Sequence, residues 1–194
     1  MQVMNEHQMK SRPSMTFDPR HLVTRKQPVL SAHLIAPWRL VFSTQLHGES
    51  FTKMAAALQH HGPTLLLLRD SRGHVFGGFA STAWEHKPQF QGRRPAGCFL
   101  FSVFPTLRVY TATGYNKHFM AWGGHAAGRH GNVSSSPQGM GGQHDYFGLW
   151  LDSDFGRGHS RARPKCTTYG NPQLSADEDF VLDAVEVWAW FKLD

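Results

Sequence analysis

The sequence has only two cysteines among its 194 residues, and they lie far apart, at Cys98 and Cys166. Two isolated cysteines exclude a disulfide framework and provide no zinc-ligand spacing, so this composition favours a reducing compartment. Long apolar runs are also missing, because the longest purely aliphatic run is the four leucines at 65–68. The first residues contain no apolar signal core. Neither secretion nor a membrane-spanning helix is therefore predicted.

Acidic residues are in the minority: 14 Asp and Glu stand against 20 Lys and Arg, for a net charge of +6 with the histidines neutral. This excess favours an acidic partner, and it leaves a peripheral association with an anionic membrane surface open. No run of five or more basic residues occurs, so nucleic-acid binding is not predicted. The length and the 40% hydrophobic content fit one globular domain.

The chain divides into two parts at its N-terminal end. Residues 1–33 are polar, contain prolines and show little periodicity, so they are predicted to be a mobile segment, with the folded domain at 34–194. Within the domain, Ser50 is a predicted N-cap for a helix, and hairpins are predicted at 64–69/74–81 and at 98–104/107–111. A Gly/Ser/His-rich stretch at 123–142 predicts a mobile insertion or a loop that orders on binding.

The strand predicted at 146–151 is apolar on both faces, which is typical of a central, covered strand. Strict alternation places Phe147, Leu149 and Leu151 on one face, with Gly148 and Trp150 on the other. Together with a final strand at 180–191, the pattern gives about eight or nine strands and one clear helix. The predicted fold is mainly β (α+β), a two-sheet antiparallel β-sandwich with one or two flanking helices.

A catalytic reading depends on Ser160, His159 and Cys166. Ser160 is not part of a G-x-S-x-G elbow, and adjacent residues on an extended chain point in opposite directions, so His159 is poorly placed as its base. Cys166 stands beside Lys165, which favours a lowered thiol pKa and oxidation. No catalytic residue is predicted, but an enzyme or redox-reactive protein that uses these three side chains stays as the alternative.

Metal and cofactor motifs are incomplete. The histidines lack ligand-pair spacing on a predicted helix, and the segment from Asp152 to Asp154 starts like a calcium loop without its closing glutamate. The glycine pairs 77–78 and 141–142 are followed by neither a lysine-serine motif nor a helix, so they are not phosphate loops. No cofactor and no metal site are predicted.

Six motifs resemble the TLDc domain family in the right order along residues 38–190. They are VFGGFAS (75–81), KPQFQG (87–92), GMGGQHDYFGLW (139–150), FGLWLDSDFGRGHS (147–160), CTTYGNPQLS (166–175) and VEVWAW (185–190). The chain is most similar to animal members of the family that are associated with lysosomes and mTOR signalling. Full-length relatives are thought to carry a myristoyl group and an upstream helical region. The start Met1-Gln2 does not fit myristoylation, which predicts a fragment or a short isoform.

The resemblance implies a non-enzymatic protein-interaction domain. TLDc proteins bind the vacuolar proton-pumping ATPase and act in oxidative-stress resistance. The expected partners are therefore a subunit of the peripheral sector of that pump and components of mTOR signalling. The expected location is cytoplasmic, peripheral at the lysosomal membrane, and the chain is expected to be a monomer.

The predicted partner surface consists of loops 84–94, 141–145 and 152–161 at one end of the sandwich. Its candidate residues are Trp84, Lys87, Phe90, Arg93, Arg94, His144, Asp145, Asp152, Asp154, Arg157 and Arg161. For the two aromatic residues, an exposed interface anchor and plain packing are both open. The predicted structural motif comprises Gly77, Gly78, Gly148, Trp150, Gly156, Gly158, Glu186 and Trp188. If Glu186 is buried it needs a partner, for which Arg39 or Arg108 is expected.

Overall fold

The computed structural model describes residues 38–59, 61–91, 97–123, 138–143, 146–152 and 155–191, with the predicted mobile segment 1–33 outside these ranges. They contain two helices and eleven strands. The helices are α1 (Thr44–His47) and α2 (Phe51–Gln59), and the strands are β1 (Trp38–Ser43), β2 (Thr64–Asp70), β3 (Val75–Ala80), β4 (Lys87–Gln91), β5 (Phe99–Phe104), β6 (Arg108–Thr111), β7 (Met120–Trp122), β8 (Gln138–Gln143), β9 (Tyr146–Leu151), β10 (Arg157–His159) and β11 (Asp179–Trp190).

All eleven strands belong to one hydrogen-bonded sheet, and every pairing is antiparallel. The order is β4-β7-β8-β9-β10-β11-β2-β3-β5-β6, and β1 also pairs with β11. The predicted mainly β fold is confirmed, as a curled antiparallel sheet with two helices. Two separate sheets are not confirmed, because β11 is long enough to join both parts: 179–181 pair with β10, whereas 182–189 pair with β2.

The sheet has an aliphatic half, β1, β2, β3, β5 and β6, and a glycine-rich half, β4 and β7 to β10. The main apolar cluster takes Leu66 and Leu100 from the first half and Met140 and Leu149 from the second. A Cβ atom on Gly78 would lie only 2.3 Å from the sulfur of Met140. The halves therefore face each other across the core.

The local signals for the helix and the first hairpin are confirmed. The hydroxyl oxygen of Ser50 accepts a hydrogen bond from the Lys53 amide at 3.4 Å, as expected of an N-cap. Helix α2 then buries one stripe of residues against the core. Between β2 and β3 the chain turns at Gly73, whose φ of 91° favours glycine.

Three strands lie where the sequence predicted loops or a turn. β4 lies within the predicted loop 84–94, β8 begins in the stretch 123–142 and overlaps the predicted loop 141–145, and β10 lies within the predicted loop 152–161. β8 reads QGMGGQ and β10 reads RGH. Such segments show little alternating hydrophobicity, so no local pattern marks them as strands. Backbone pairing with partners that are distant in sequence, rather than apolar side chains, stabilises them.

Candidate interaction surface

The turn between β9 and β10 is flanked by two of the predicted partner residues, Asp152 at its start and Arg157 at the start of β10. The amide of Asp152 donates to the carbonyl of Arg157 at 3.0 Å, and the indole of Trp150 donates to the Asp152 carboxylate at 2.8 Å. Gly156 has a φ of 108°, and its carbonyl accepts from the Leu182 amide at 2.7 Å. This turn is therefore held on both sides, and the Arg157 side chain extends from it into solvent.

Arg161 lies beside a set of charged residues that we name the acidic–basic edge: Arg72, Arg161, Asp177, Glu178 and Asp179. The Arg161 guanidinium pairs with the Glu178 carboxylate and lies 3.9 Å from Asp179. Arg72 contacts both carboxylate oxygens of Asp177 at 2.9 Å. Ion pairs this exposed contribute little to stability, so their arrangement matters more for what the surface presents.

Asp70 positions this edge, although it is not among the predicted site residues. The side chain is 2% exposed. Its carboxylate accepts hydrogen bonds from the amides of Arg72 at 3.0 Å, His74 at 2.9 Å and Ala176 at 2.8 Å. The sequence Asp-Ser-Arg-Gly at 70–73 is typical of a turn, and an aspartate that starts a turn often accepts hydrogen bonds from the amides that follow. The contacts with Arg72 and His74 are of this local kind. The link to Ala176 spans 106 positions and has no local signal.

Lys87 and Phe90 lie in β4, at the far end of the glycine-rich half. A ladder of rings runs from His118 through Phe90, Phe147 and Trp150 to His159, with successive centroid distances of 4.1, 5.8, 4.4 and 5.9 Å. These contacts support packing rather than an exposed anchor for Phe90. The strict alternation predicted for β9 is wrong at Phe147. Its ring packs with Trp150, whereas Leu149 belongs to the main core cluster.

Trp84 is not an exposed anchor either. Its side chain is 2% exposed and belongs to the main core cluster. The indole N–H donates to the Thr64 hydroxyl at 3.3 Å. An indole buried with its polar atom paired stabilises the core, which is the packing alternative.

The predicted loops do not gather at one end of the fold. Segment 141–145 meets the first residue of β9, whereas Asp152 follows its last residue, and six strand residues span roughly 17 Å. Lys87 pairs with Trp122, which pairs with Gln138, which pairs with Leu151. Lys87 is therefore three strands away from Leu151, roughly 14 Å. Arg93, Arg94, His144, Asp145 and Asp154 lie outside the described residues.

A glycine pair inside a strand, as at 77–78, predicts a bulge or a close backbone approach, and the approach is found at Gly77; Gly158 shows another that was not predicted. A Cβ on Gly77 would lie 1.9 Å from the Leu66 carbonyl oxygen, and one on Gly158 would lie 2.1 Å from the Trp150 carbonyl oxygen. At Gly148 the neighbours are side chains, with the Asn171 amide oxygen nearest at 2.8 Å. A glycine in such a bulky strand predicts another backbone or a large ring close over it, and this prediction is wrong at Gly148.

Glu186 is buried, but its hydrogen-bond partner is neither Arg39 nor Arg108; the charge of Arg69 acts on it from a distance. The side chain is 3% exposed and accepts a hydrogen bond from the indole of Trp188 at 3.0 Å. Burial raises the pKa of Glu186, and the Trp188 hydrogen bond opposes that rise. The guanidinium of Arg39 instead lies 4.9 Å from the centroid of the Phe191 ring. Residues two apart on a strand share a face, which explains the contact with Trp188.

Ser160 is engaged with the backbone and not with His159. The side chain is fully buried, its hydroxyl donates to the Gly148 carbonyl at 2.8 Å, and its oxygen accepts from the Leu174 amide at 3.0 Å. His159 stacks on Trp150 and has a buried Nε2 without a partner among the described residues. Burial lowers the pKa of His159, and the nearby Arg161 lowers it further. The described geometry does not assemble a serine-histidine pair.

The two thiols are also buried. Cys98 is 3% exposed and Cys166 is 2% exposed, and burial raises the pKa of both. The lowered thiol pKa predicted for Cys166 is therefore wrong, because the fold covers a thiol that stands next to a lysine in sequence. Among the described residues, no three His, Cys, Asp or Glu side chains form a set that could hold a metal ion.

A comparison with known proteins places this curled antiparallel domain in a family. The sequence model of the TLDc domain matches residues 7–191, and the chain belongs to the TLDc domain family. It is 58% identical over 166 residues to MTOR-associated protein MEAK7 of Danio rerio. The aligned residues make up 86% of this chain and 35% of that protein. With the same protein of Homo sapiens the identity is 55% over 153 residues, covering 78% of this chain and 32% of the relative.

A more distant relative carries a different name. The chain is 34% identical over 186 residues to Oxidation resistance protein 1 of Bos taurus, across 92% of this chain and 19% of that protein. The chain spans about a third of the length of the MTOR-associated relatives and less of this one.

Proposed function

We propose that this chain is a non-enzymatic interaction domain that acts in mTOR-linked signalling and in oxidative-stress resistance. Membership of the TLDc family and the names of the relatives support the two processes. The observation that carries the interaction role is the acidic–basic edge, which presents its charges to solvent beside a turn that Asp70 holds in place. Ser160, from the enzyme alternative, uses its hydroxyl in two backbone hydrogen bonds.

The partner that we propose is a subunit of the peripheral sector of the vacuolar proton-pumping ATPase, as the TLDc resemblance implies. Components of mTOR signalling are the second class of partner. Binding through the pump would bring the chain from the cytoplasm to the periphery of the lysosomal membrane. No helix within the described ranges is long and apolar enough to cross a bilayer.

A charge-swap variant tests this function without changing the net charge. Arg161→Glu combined with Glu178→Arg keeps an ion pair in place but reverses its polarity. The purified domain should bind the purified peripheral sector, and the swapped variant should bind about tenfold more weakly, as expected when like charges meet across an interface. The comparison is made by titration at fixed ionic strength.

Lys117→Glu is the control, because this exposed residue lies outside the edge and its substitution changes the net charge. It should bind like the unchanged domain. Failure of the unchanged domain to bind the peripheral sector would reject the partner. Equal binding by the swapped variant would reject the edge as the contact surface.

A further inference from the structure

The aliphatic half of the sheet carries a second apolar cluster on the side that faces away from the main core. Leu65 and Leu67 belong to this cluster, whereas Leu66 and Leu68, which alternate with them along β2, belong to the main one. We name this side of the sheet the outer face. The centre of its cluster consists of Leu65, Leu67, Phe79, Phe99 and Phe101.

The centre of the outer face is buried, although its rim is not. Leu65, Leu67 and Phe101 are 0% exposed. Among the described residues, every apolar member of the cluster lies in a strand, and no helix or loop contributes one. Helix α2 instead packs into the main core. A sheet that is apolar on both faces needs a layer on each. The partly buried rim consists of Trp38, Val75, Val103, Val109 and Trp188.

The outer face also carries an excess of acidic groups. Glu186 pairs across the sheet with Leu67 and alternates with Trp188 along β11, so its carboxyl group lies on this face. Arg69 follows Leu67 by two residues, and its Nε lies 2.7 Å from the carboxylate of Asp183. Two carboxyl groups therefore stand against one guanidinium, and a basic layer is complementary to them.

Residues 7–33 have this composition. They contain five Lys or Arg, one Asp, and large apolar residues that include Phe17, Leu22 and Leu30. The TLDc sequence model begins at residue 7, so this stretch lies within the family match. The stretch 124–137, which is also outside the described ranges, connects β7 to β8 in the glycine-rich half.

The connection of residues 7–33 to the rest of the chain brings them to the outer face. The chain continues from them into Trp38, whose ring centroid lies 6.2 Å from that of Phe79 on this face. From β1 the path β11-β2-β3-β5 leads to β6, and these five strand spacings amount to roughly 24 Å. A stretch of this length spans about 40 Å even when it is wound as a helix. It is therefore long enough to cover the cluster.

We propose that residues 7–33 dock on the outer face, with their apolar side chains against the rim and their basic residues towards Asp183 and Glu186. The segment is then a layer of the domain, in contrast to the mobile segment that the sequence predicts for residues 1–33. Docked in this way, it closes the outer face to other proteins.

Site-specific photo-cross-linking in the full chain tests this docking. The residue p-benzoylphenylalanine replaces Val109 on the rim, and in the control protein it replaces Tyr115, which is 80% exposed in the loop after β6. After irradiation of the purified monomer, position 109 should be joined to tryptic peptides from residues 7–33. Position 115 should not be joined to them, and unfolding midpoints check that both proteins fold.

A charge variant sharpens the test. Replacing the five basic residues of 7–33 by glutamine should lower the cross-linking yield at position 109 at least about threefold, because exposed ion pairs contribute modestly but additively. Arg108→Gln with Lys117→Gln is the control, since both residues are exposed and lie outside 7–33. Its yield should be unchanged.

Three results would overturn the proposal. Cross-links from position 109 that join two copies of the chain would make a second copy the occupant. Absence of any cross-link to residues 7–33 would leave the face open to another protein. An equal yield from the glutamine variant would reject the pairing of the basic residues with this face.

Discussion

The two halves of the sheet reach the same burial by different means. In the aliphatic half, the leucines of β2 cover both of its faces, and β2 is buried at every residue but Arg69. In the glycine-rich half, β8 contributes three glycines in six residues, yet five of its residues are buried. There, the rings of Phe147 and Trp150 lie within 2.7 Å of where a Cβ on Gly139 would sit. A strand with few large side chains can therefore be central when neighbouring rings fill the space beside its glycines.

Trp150→Ala should produce the largest effect, because in the glycine-rich half the rings of one strand fill the space beside the glycines of the next. The substitution removes the stack on Phe147, whose centroid lies 4.4 Å away, and exposes Gly139. We expect a loss of about 3–5 kcal/mol in the free energy of unfolding, measured by chemical denaturation. Trp38→Ala, at a partly exposed ring in the aliphatic half, should cost less. Equal losses would show that the two halves depend on a single tryptophan ring to the same extent.

Ser160→Ala should have an intermediate effect. It leaves the buried Leu174 amide without its acceptor and removes one donor from the Gly148 carbonyl. We expect a loss of about 2 kcal/mol in the free energy of unfolding. Ser102→Ala is the control in the aliphatic half, since its hydroxyl donates a hydrogen bond of 2.7 Å to the Thr106 carbonyl. A fluorophosphonate probe should leave Ser160 unlabelled, and stoichiometric labelling would revive the enzyme alternative.

The smallest effect concerns pH. The folded-state pKa of His159 lies below its ordinary value, chiefly because of burial, and the neighbouring carboxylates of Asp152, Glu178 and Asp179 oppose Arg161 there. The unfolded chain therefore takes up the proton first as the pH falls below about 6.5. The stabilising contribution is complete above that pH and is lost on acidification towards the folded-state pKa.

A His159→Gln variant isolates this contribution, because the other titrating groups are common to both proteins. Between about pH 7.5 and about pH 5.5, the unchanged protein should lose more stability than the variant. Thermal or denaturant midpoints across that range measure the difference. Parallel curves would show that His159 does not carry a linked proton.

Local sequence signals predicted the elements in which side chains and caps act on near neighbours. The helix after Ser50 and the hairpin at Gly73 belong to this group. Strands β4, β8 and β10 were not predicted, because backbone pairing with distant strands stabilises them. Three residues of the candidate surface, Asp152, Arg157 and Arg161, were among the partner residues predicted from the sequence. Asp70 was missed as the residue that positions the edge, since its contact with Ala176 joins segments that are remote in sequence.

By itself, the sequence determined the family, the mainly β composition and the strands with large apolar side chains, because these depend on residue type and local order. Only the tertiary structure decided which groups are accessible. It buried Trp84 and Cys166, paired Glu186 with Trp188, and separated the two ends of β9 that loops 141–145 and 152–161 adjoin. The reason is physical: burial and pairing across a curled sheet depend on contacts between residues far apart in the chain, which no local pattern encodes.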